Sequence, residues 1–238
     1  ACLDPMAAGT KLRKQQLRDR LLAIHPVPAS FDLTMRNAGA LLTCGSPEGT
    51  ASVLNRFSPA RGDERRRWLM LRWQAAAAAL DHQQAALALR RLVDGNVATL
   101  DDITLAGPRN GLDALADHEA SRGRLQVAAL VLLQGDLQGV SGARRRGQAA
   151  EWLAASDPQQ ADQLLEAALD QAASNQAWGL ARALLQLQLR LQLAAGGAGE
   201  RPPIRLERLA ARLHDSSTLV QLNPVGNPPP SLRSPREP

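Results

Sequence analysis

The chain has 238 residues and a formal net charge of +5, room for one large domain or a short array of repeats. Ala and Leu dominate, Tyr is absent, Phe occurs only at 31 and 57, and β-branched residues are sparse, which favours helix over sheet. Cys2 and Cys44 define no metal site or disulfide framework, and apolar runs such as 125–133 are far too short to span a membrane.

Nearly all positive charge is Arg, since Lys11 and Lys14 are the only lysines. Arg suits phosphate and carboxylate forks better than Lys does. A GC-rich genome produces the same bias and raises Ala, Gly and Pro with it, so composition alone assigns no anionic partner.

Residues 1–9 read as a loose, disordered N-terminus. Residues 11–24 form a basic amphipathic helix, with Leu17, Leu21, Leu22 and Ile24 to one side and Lys11, Arg13, Lys14, Arg18 and Arg20 to the other. Its charged side reads as the solvated face of a terminal helix, although such a helix also suits an anionic membrane surface. Residues 25–28 end it, because a residue before proline avoids the helical region. Ser30 caps a helix over 31–42, and Ser46-Pro47 restarts a short one to Phe57.

Residues 63–80 form the longest clear helix, with Trp68, Leu69, Leu71, Trp73 and five alanines at 75–79. Asp81 turns the chain and 83–93 returns. Residues 97–105 supply one or two turns, and 107–111 a loop. Residues 112–120 and 124–133 form another hairpin. The glycines of 135–142 predict a loop before a helix over 143–155. Asp157 is an N-cap with Pro158 first in the helix. The stretch 158–194 folds as two helices about a turn at 173–175. After a glycine break at 196–199, residues 203–213 form a final helix. The Pro-rich tail 214–238 reads as disordered.

Three inter-helix turns align on Asp81, Ser121 and Ser174. The return helices then match at Ala88, Ala128 and Ala181, and again at Leu92, Leu132 and Leu185. The outgoing helices match at Ala75, Leu115 and Ala168, and at Ala76, Ala116 and Leu169. A small residue at a helix crossing and a large one a turn later is what stacked hairpins need. Over about 63–193 the pattern resembles the tetratricopeptide-repeat class. The steps are 40 and 53 residues, not the uniform 34 of that repeat. The family's helix-A aromatic and glycine positions are mostly filled otherwise here. The expected fold is all-α: a right-handed α-solenoid of antiparallel hairpins over residues 10–213, with an irregular helical bundle as the alternative.

The histidines at 25, 82, 118 and 214 stand alone in sequence. Asp113 and Asp117 share a helix face, but His118 is rotated about 100° from Asp117, so the three do not converge on a metal. They read as a solvated acidic face. Cys44 reads as a buried or inert thiol. No nucleophile elbow, phosphate loop or dinucleotide fingerprint occurs, and no cofactor is expected.

The resemblance implies a non-catalytic scaffold or adaptor that binds a protein or peptide in its groove, through polar helix positions such as Arg72, Gln83, Asp117, Gln163 and Gln171. The alternative is nucleic acid or another anionic surface held by Arg65, Arg66, Arg67, Arg144, Arg145 and Arg146. Consecutive residues on a helix fan out, so only part of each triplet faces one way. Ala1-Cys2 is similar to the end of a bacterial lipoprotein cleavage site. A cytoplasmic protein is expected, or a periplasmic or lipid-anchored one through Cys2 if an apolar segment precedes Ala1.

Overall fold

A computed structural model describes residues 10–24, 30–105, 110–196 and 201–215. The segments 1–9, 25–29, 106–109, 197–200 and 216–238 lie outside the described residues. The loose N-terminus, the breaks at 25–28 and 196–199, most of the 107–111 loop, most of the Pro-rich tail and the Cys2 anchor all fall there wholly or largely.

The described chain is helical, with a single isolated bridge between Thr104 and Asn110 as its β-type pairing. It packs as two compact units. Unit Ala1–Gly135 contains α1 (Thr10–Ala23), α2 (Phe31–Thr43), α3 (Pro47–Leu54), α4 (Asp63–Ala78), α5 (His82–Leu92), a 3-10 turn (Val97–Asp102), α6 (Gly111–Ser121) and α7 (Leu125–Leu132). Unit Asp136–Pro238 contains α8 (Gly139–Leu153), α9 (Pro158–Ser174), α10 (Trp178–Ala194) and α11 (Arg201–Leu213). In both, each α-helix packs on the next, and α1 on α3, α2 on α4 and α8 on α10 also touch.

Four hairpins, α2/α3, α4/α5, α6/α7 and α9/α10, share one turn. Each outgoing helix ends at a residue of left-handed backbone: Gly45 (φ 70°), Leu80 (φ 57°), Gly123 (φ 75°) and Gln176 (φ 56°). At Leu80, its N–H donates to Ala77 O at 3.1 Å and the N–H of Asp81 to Ala76 O at 2.9 Å. Gly45/Ser46, Gly123/Arg124 and Gln176/Ala177 repeat that pair of bonds. This is the Schellman closure, which satisfies carbonyls the helix end leaves open. The residue after the left-handed one is already the N-cap of the return helix: Ser46, Asp81, Arg124 and Ala177. Asp81 caps with its side chain, accepting from the N–H of Gln84 at 3.0 Å.

Counting from the left-handed residue as zero, the same six positions are buried in all four hairpins. In the outgoing helix they are −11 (Thr34, Leu69, Leu112, Leu165), −7 (Ala38, Trp73, Ala116, Leu169) and −4 (Leu41, Ala76, Glu119, Ala172). In the return helix they are +5 (Thr50, Ala85, Ala128, Ala181), +8 (Val53, Ala88, Val131, Leu184) and +9 (Leu54, Leu89, Leu132, Leu185). Position +5 is small because the two helices cross there. The hydroxyl of Thr50 reaches Ala38 O across the crossing at 3.2 Å. Position +9 is Leu every time and fills the space one turn beyond.

This register corrects the alignment on Asp81, Ser121 and Ser174. The zero positions are Leu80, Gly123 and Gln176, so Ala128 and Leu132 pair with Ala85 and Leu89, not with Ala88 and Leu92. The slip is three residues, close to one helical turn, which leaves an alanine- and leucine-rich stripe looking unchanged. The step from 128 to 181 keeps its register.

A second correction concerns 135–142, read as a loop. Helix α8 already begins at Gly139. A Cβ on Gly142 would sit 2.0 Å from the backbone carbonyl carbon of Leu137. Glycine is there for a close approach of two backbone segments, not for a flexible connection. Cys44 is buried and disulfide-bonded, not a thiol.

Candidate functional site

One face of each outgoing helix in the first two hairpins is not used by the buried positions. In α2 it holds Asp32, Met35, Arg36 and Gly39, and in α4 Arg67, Met70, Leu71 and Gln74. These are positions −13, −10, −9 and −6 in both helices, a spacing of i, i+3, i+4 and i+7 that keeps them on one face. Together with Arg66 they line an open cavity of about 850 Å³.

The cavity has an apolar floor and a charged rim. Met35, Gly39, Met70, Leu71 and Gln74 are half-buried, whereas Asp32, Arg36, Arg66 and Arg67 are exposed. Met35 and Leu71 also pack on the core cluster of Ala38, Leu41, Val53 and Leu54, so the floor is anchored from below. Thioether side chains adapt their shape to what lies on them. On the rim, Arg67 lies 5.2 Å above the Phe31 ring and 3.9 Å from the Asp32 carboxylate. Phe31 in turn stacks at a tilt on Phe57, with ring centroids 5.7 Å apart.

The five polar positions expected to meet a partner are divided between the two units. Arg72 braces the hairpins: it donates to Asn55 at 2.8 Å and to Gln84 at 3.4 Å, and lies over the Trp68 ring. Gln83 and Gln163 are exposed. Gln171 is half-buried, donating to Leu137 O at 2.8 Å. Asp117 stands at position −6 of α6, the register of the groove face. Arg72, Gln83 and Asp117 belong to the first unit, Gln163 and Gln171 to the second.

The arginine triplets divide in the same way. Arg66 and Arg67 are on the groove rim, and Arg65 is half-buried and outside its lining. Arg145 is buried and donates to Asp136 O at 2.9 Å, and Arg146 donates to Leu137 O at 2.8 Å and to Gln171. Both hold the backbone that enters α8, which leaves Arg144 as the exposed member.

The histidines reverse the expectation that each stands alone. The rings of His82 and His118 are 5.4 Å apart and their Nδ1 atoms 3.1 Å apart. Trp73 Nε1 donates to His118 Nε2 at 3.1 Å, so His118 is part of a seam joining α4, α5 and α6 and not of a solvated face. Beside it Glu119 is fully buried. Its Oε1 accepts from Arg90 Nη2 at 3.0 Å, and its Oε2 from Arg122 Nη1 at 3.2 Å and Arg124 Nε at 2.8 Å. Burial alone would raise this carboxyl, but the hydrogen bonds and charges of Arg124 and Arg90 outweigh it and hold the group below its ordinary value.

Among the described residues no group of three or more His, Cys, Asp or Glu is placed to hold a metal ion, and no helix is long and apolar enough to cross a membrane. Set against protein-family models, curated proteins and solved structures, the chain matches none.

The sequence reading missed the groove residues other than Arg66 and Arg67. The signal was present as a pattern: Asp32, Met35, Arg36 and Gly39 recur as Arg67, Met70, Leu71 and Gln74 at a fixed offset of 35 residues. The first of these sets lies in α2, upstream of the 63–193 stretch that resembles the repeat.

Proposed function

We propose that this chain is a non-catalytic helical-repeat scaffold, of the stacked-hairpin, tetratricopeptide-like kind, that docks a segment of a partner protein on the α2–α4 groove. The repeated turn and the six shared buried positions support the hairpin-array reading, with a right-handed solenoid as its form. One observation carries the docking reading. The same four register positions of two successive outgoing helices leave the core and line one open, apolar-floored cavity. Exposed apolar floors with a polar rim are what protein-docking surfaces have.

A pull-down from native extract with the full chain and with its Met70→Glu variant tests it. The wild type recovers a partner protein and the variant, of unchanged helical content, loses it. Equal recovery by both, or recovery by neither, counts against the groove.

A further inference from the structure

We infer that the segment docked in the α2–α4 groove is acidic and carries aliphatic side chains, an inference that rests on the docking reading above. Charge comes first. Among the described residues Asp32 is the one carboxylate of the rim, and Arg67 already faces it. Arg36 and Arg66 are exposed and have no carboxylate partner among the described residues. A ligand of the opposite sign is steered to such a rim and discriminated there.

The positive character is local to this step. At positions −10 and −6, where α2 and α4 hold Met35 and Met70, then Gly39 and Gln74, α6 holds Asp113 and Asp117. The cationic groove is therefore a property of two hairpins, not of the repeat.

The floor separates peptide from nucleic acid. Single strands are held by bases stacked on aromatic rings. Among the described residues the groove lining offers Met35, Met70 and Leu71 and no aromatic side chain, which suits an aliphatic side chain flanked by carboxylates. Two adjacent helices are about 20 Å across, the length of about six extended residues. A 12-residue peptide is thus long enough to cross them.

The test selects peptides from a displayed library of random 12-mers on the full chain, then locates them by methyl NMR of labelled methionine. Met35 and Met70 both line the groove, so their methyl signals report on it. Selected peptides enriched in Asp and Glu together with Leu, Ile or Met, and shifting Met35 and Met70, support the inference. The double variant Arg36→Glu, Arg66→Glu then weakens them about tenfold, as expected for losing two rim ion pairs. Both side chains are exposed, and far-UV circular dichroism checks that the variant folds. Peptides that shift Met35 and Met70 but are neutral or basic overturn the acidic assignment and leave the docking reading standing. If no peptide shifts them, or a single-stranded oligonucleotide does so instead, both fall.

Discussion

His82 and His118 face each other through their Nδ1 atoms at 3.1 Å, and a third group settles which of them donates. The Trp73 indole only donates, so His118 accepts at Nε2 and bears its proton on Nδ1, toward His82. A proton added to His118 Nε2 would set its N–H against that of Trp73. Burial first, then the nearby His82, lowers the His118 pKa from 6.5, while Glu119 acts the other way. A lowered imidazole pKa stabilises the fold fully above the unfolded value of about 6.5, and that stability is lost as pH falls through the lower folded value. Urea midpoints should therefore drop on acidification from about pH 7 toward pH 5, a range set by the ordinary imidazole value. The His118→Gln variant should flatten this part of the profile. A wild-type profile level over that range would refute the lowered His118 imidazole.

Glu119 is the exception at a position that is Leu41, Ala76 and Ala172 in the other hairpins. Its carboxylate ties Arg90 of α5 to Arg122 and Arg124 of the following turn. Removing it leaves three cations that converge on a void. Glu119→Ala should lower stability by about 3 kcal/mol, the low end for breaking a buried ion pair, since the arginines retain some contact with water. Chemical denaturation checks this. A loss under about 0.5 kcal/mol, typical of a surface change, would show that the network holds nothing together.

Leu80 turns the α4/α5 hairpin with φ 57° and is 73% exposed. It therefore incurs the cost of left-handed backbone while burying little in return. Leu80→Gly should raise stability by about 0.5–1 kcal/mol, after the added freedom of glycine in the unfolded chain is offset. Gln176→Gly at the equivalent turn should behave alike. A fall in thermal midpoint in both would mean that the turn geometry is not shared.

Two helical glycines should respond in opposite directions. Nothing lies within 4 Å of a Cβ built on Gly39, whereas one on Gly142 meets the Leu137 backbone at 2.0 Å. Gly39→Ala should stabilise α2 by up to about 1 kcal/mol through helix propensity. Gly142→Ala should cost about 1–3 kcal/mol as an overpacked contact, despite the same propensity gain. Thermal unfolding of the two variants side by side would decide it, and stabilisation by both would dispose of the close approach at α8.

The all-α character and most helices were legible because alanine and leucine at helical spacing leave little else possible. The turn at 173–175 was placed within two residues of Gln176, and Asp157 caps α9 as its position suggested, accepting from the Gln160 N–H at 2.9 Å. Register was harder. A three-residue slip nearly reproduces a helical stripe, so only the left-handed residue fixes the count, and Leu80 does not announce itself as one. The groove was illegible for a related reason. Met35, Leu71 and Met70 look like core by type, and only the packing of the true core positions shows them to be left over. The His82–His118 pair joins positions 36 residues apart across two hairpins, and no local spacing encodes it.

The turn that closes each hairpin also says where this chain tolerates change in length. Between zero positions the chain measures 35, 43 and 53 residues, yet the count from −11 to +9 never varies. All the surplus falls in the connectors, as a short loop, a 3-10 turn or the whole of α8. An insertion placed in a connector should leave the hairpins on either side intact, whereas one residue added between Leu69 and Leu89 would throw half of that hairpin's buried side chains out of phase.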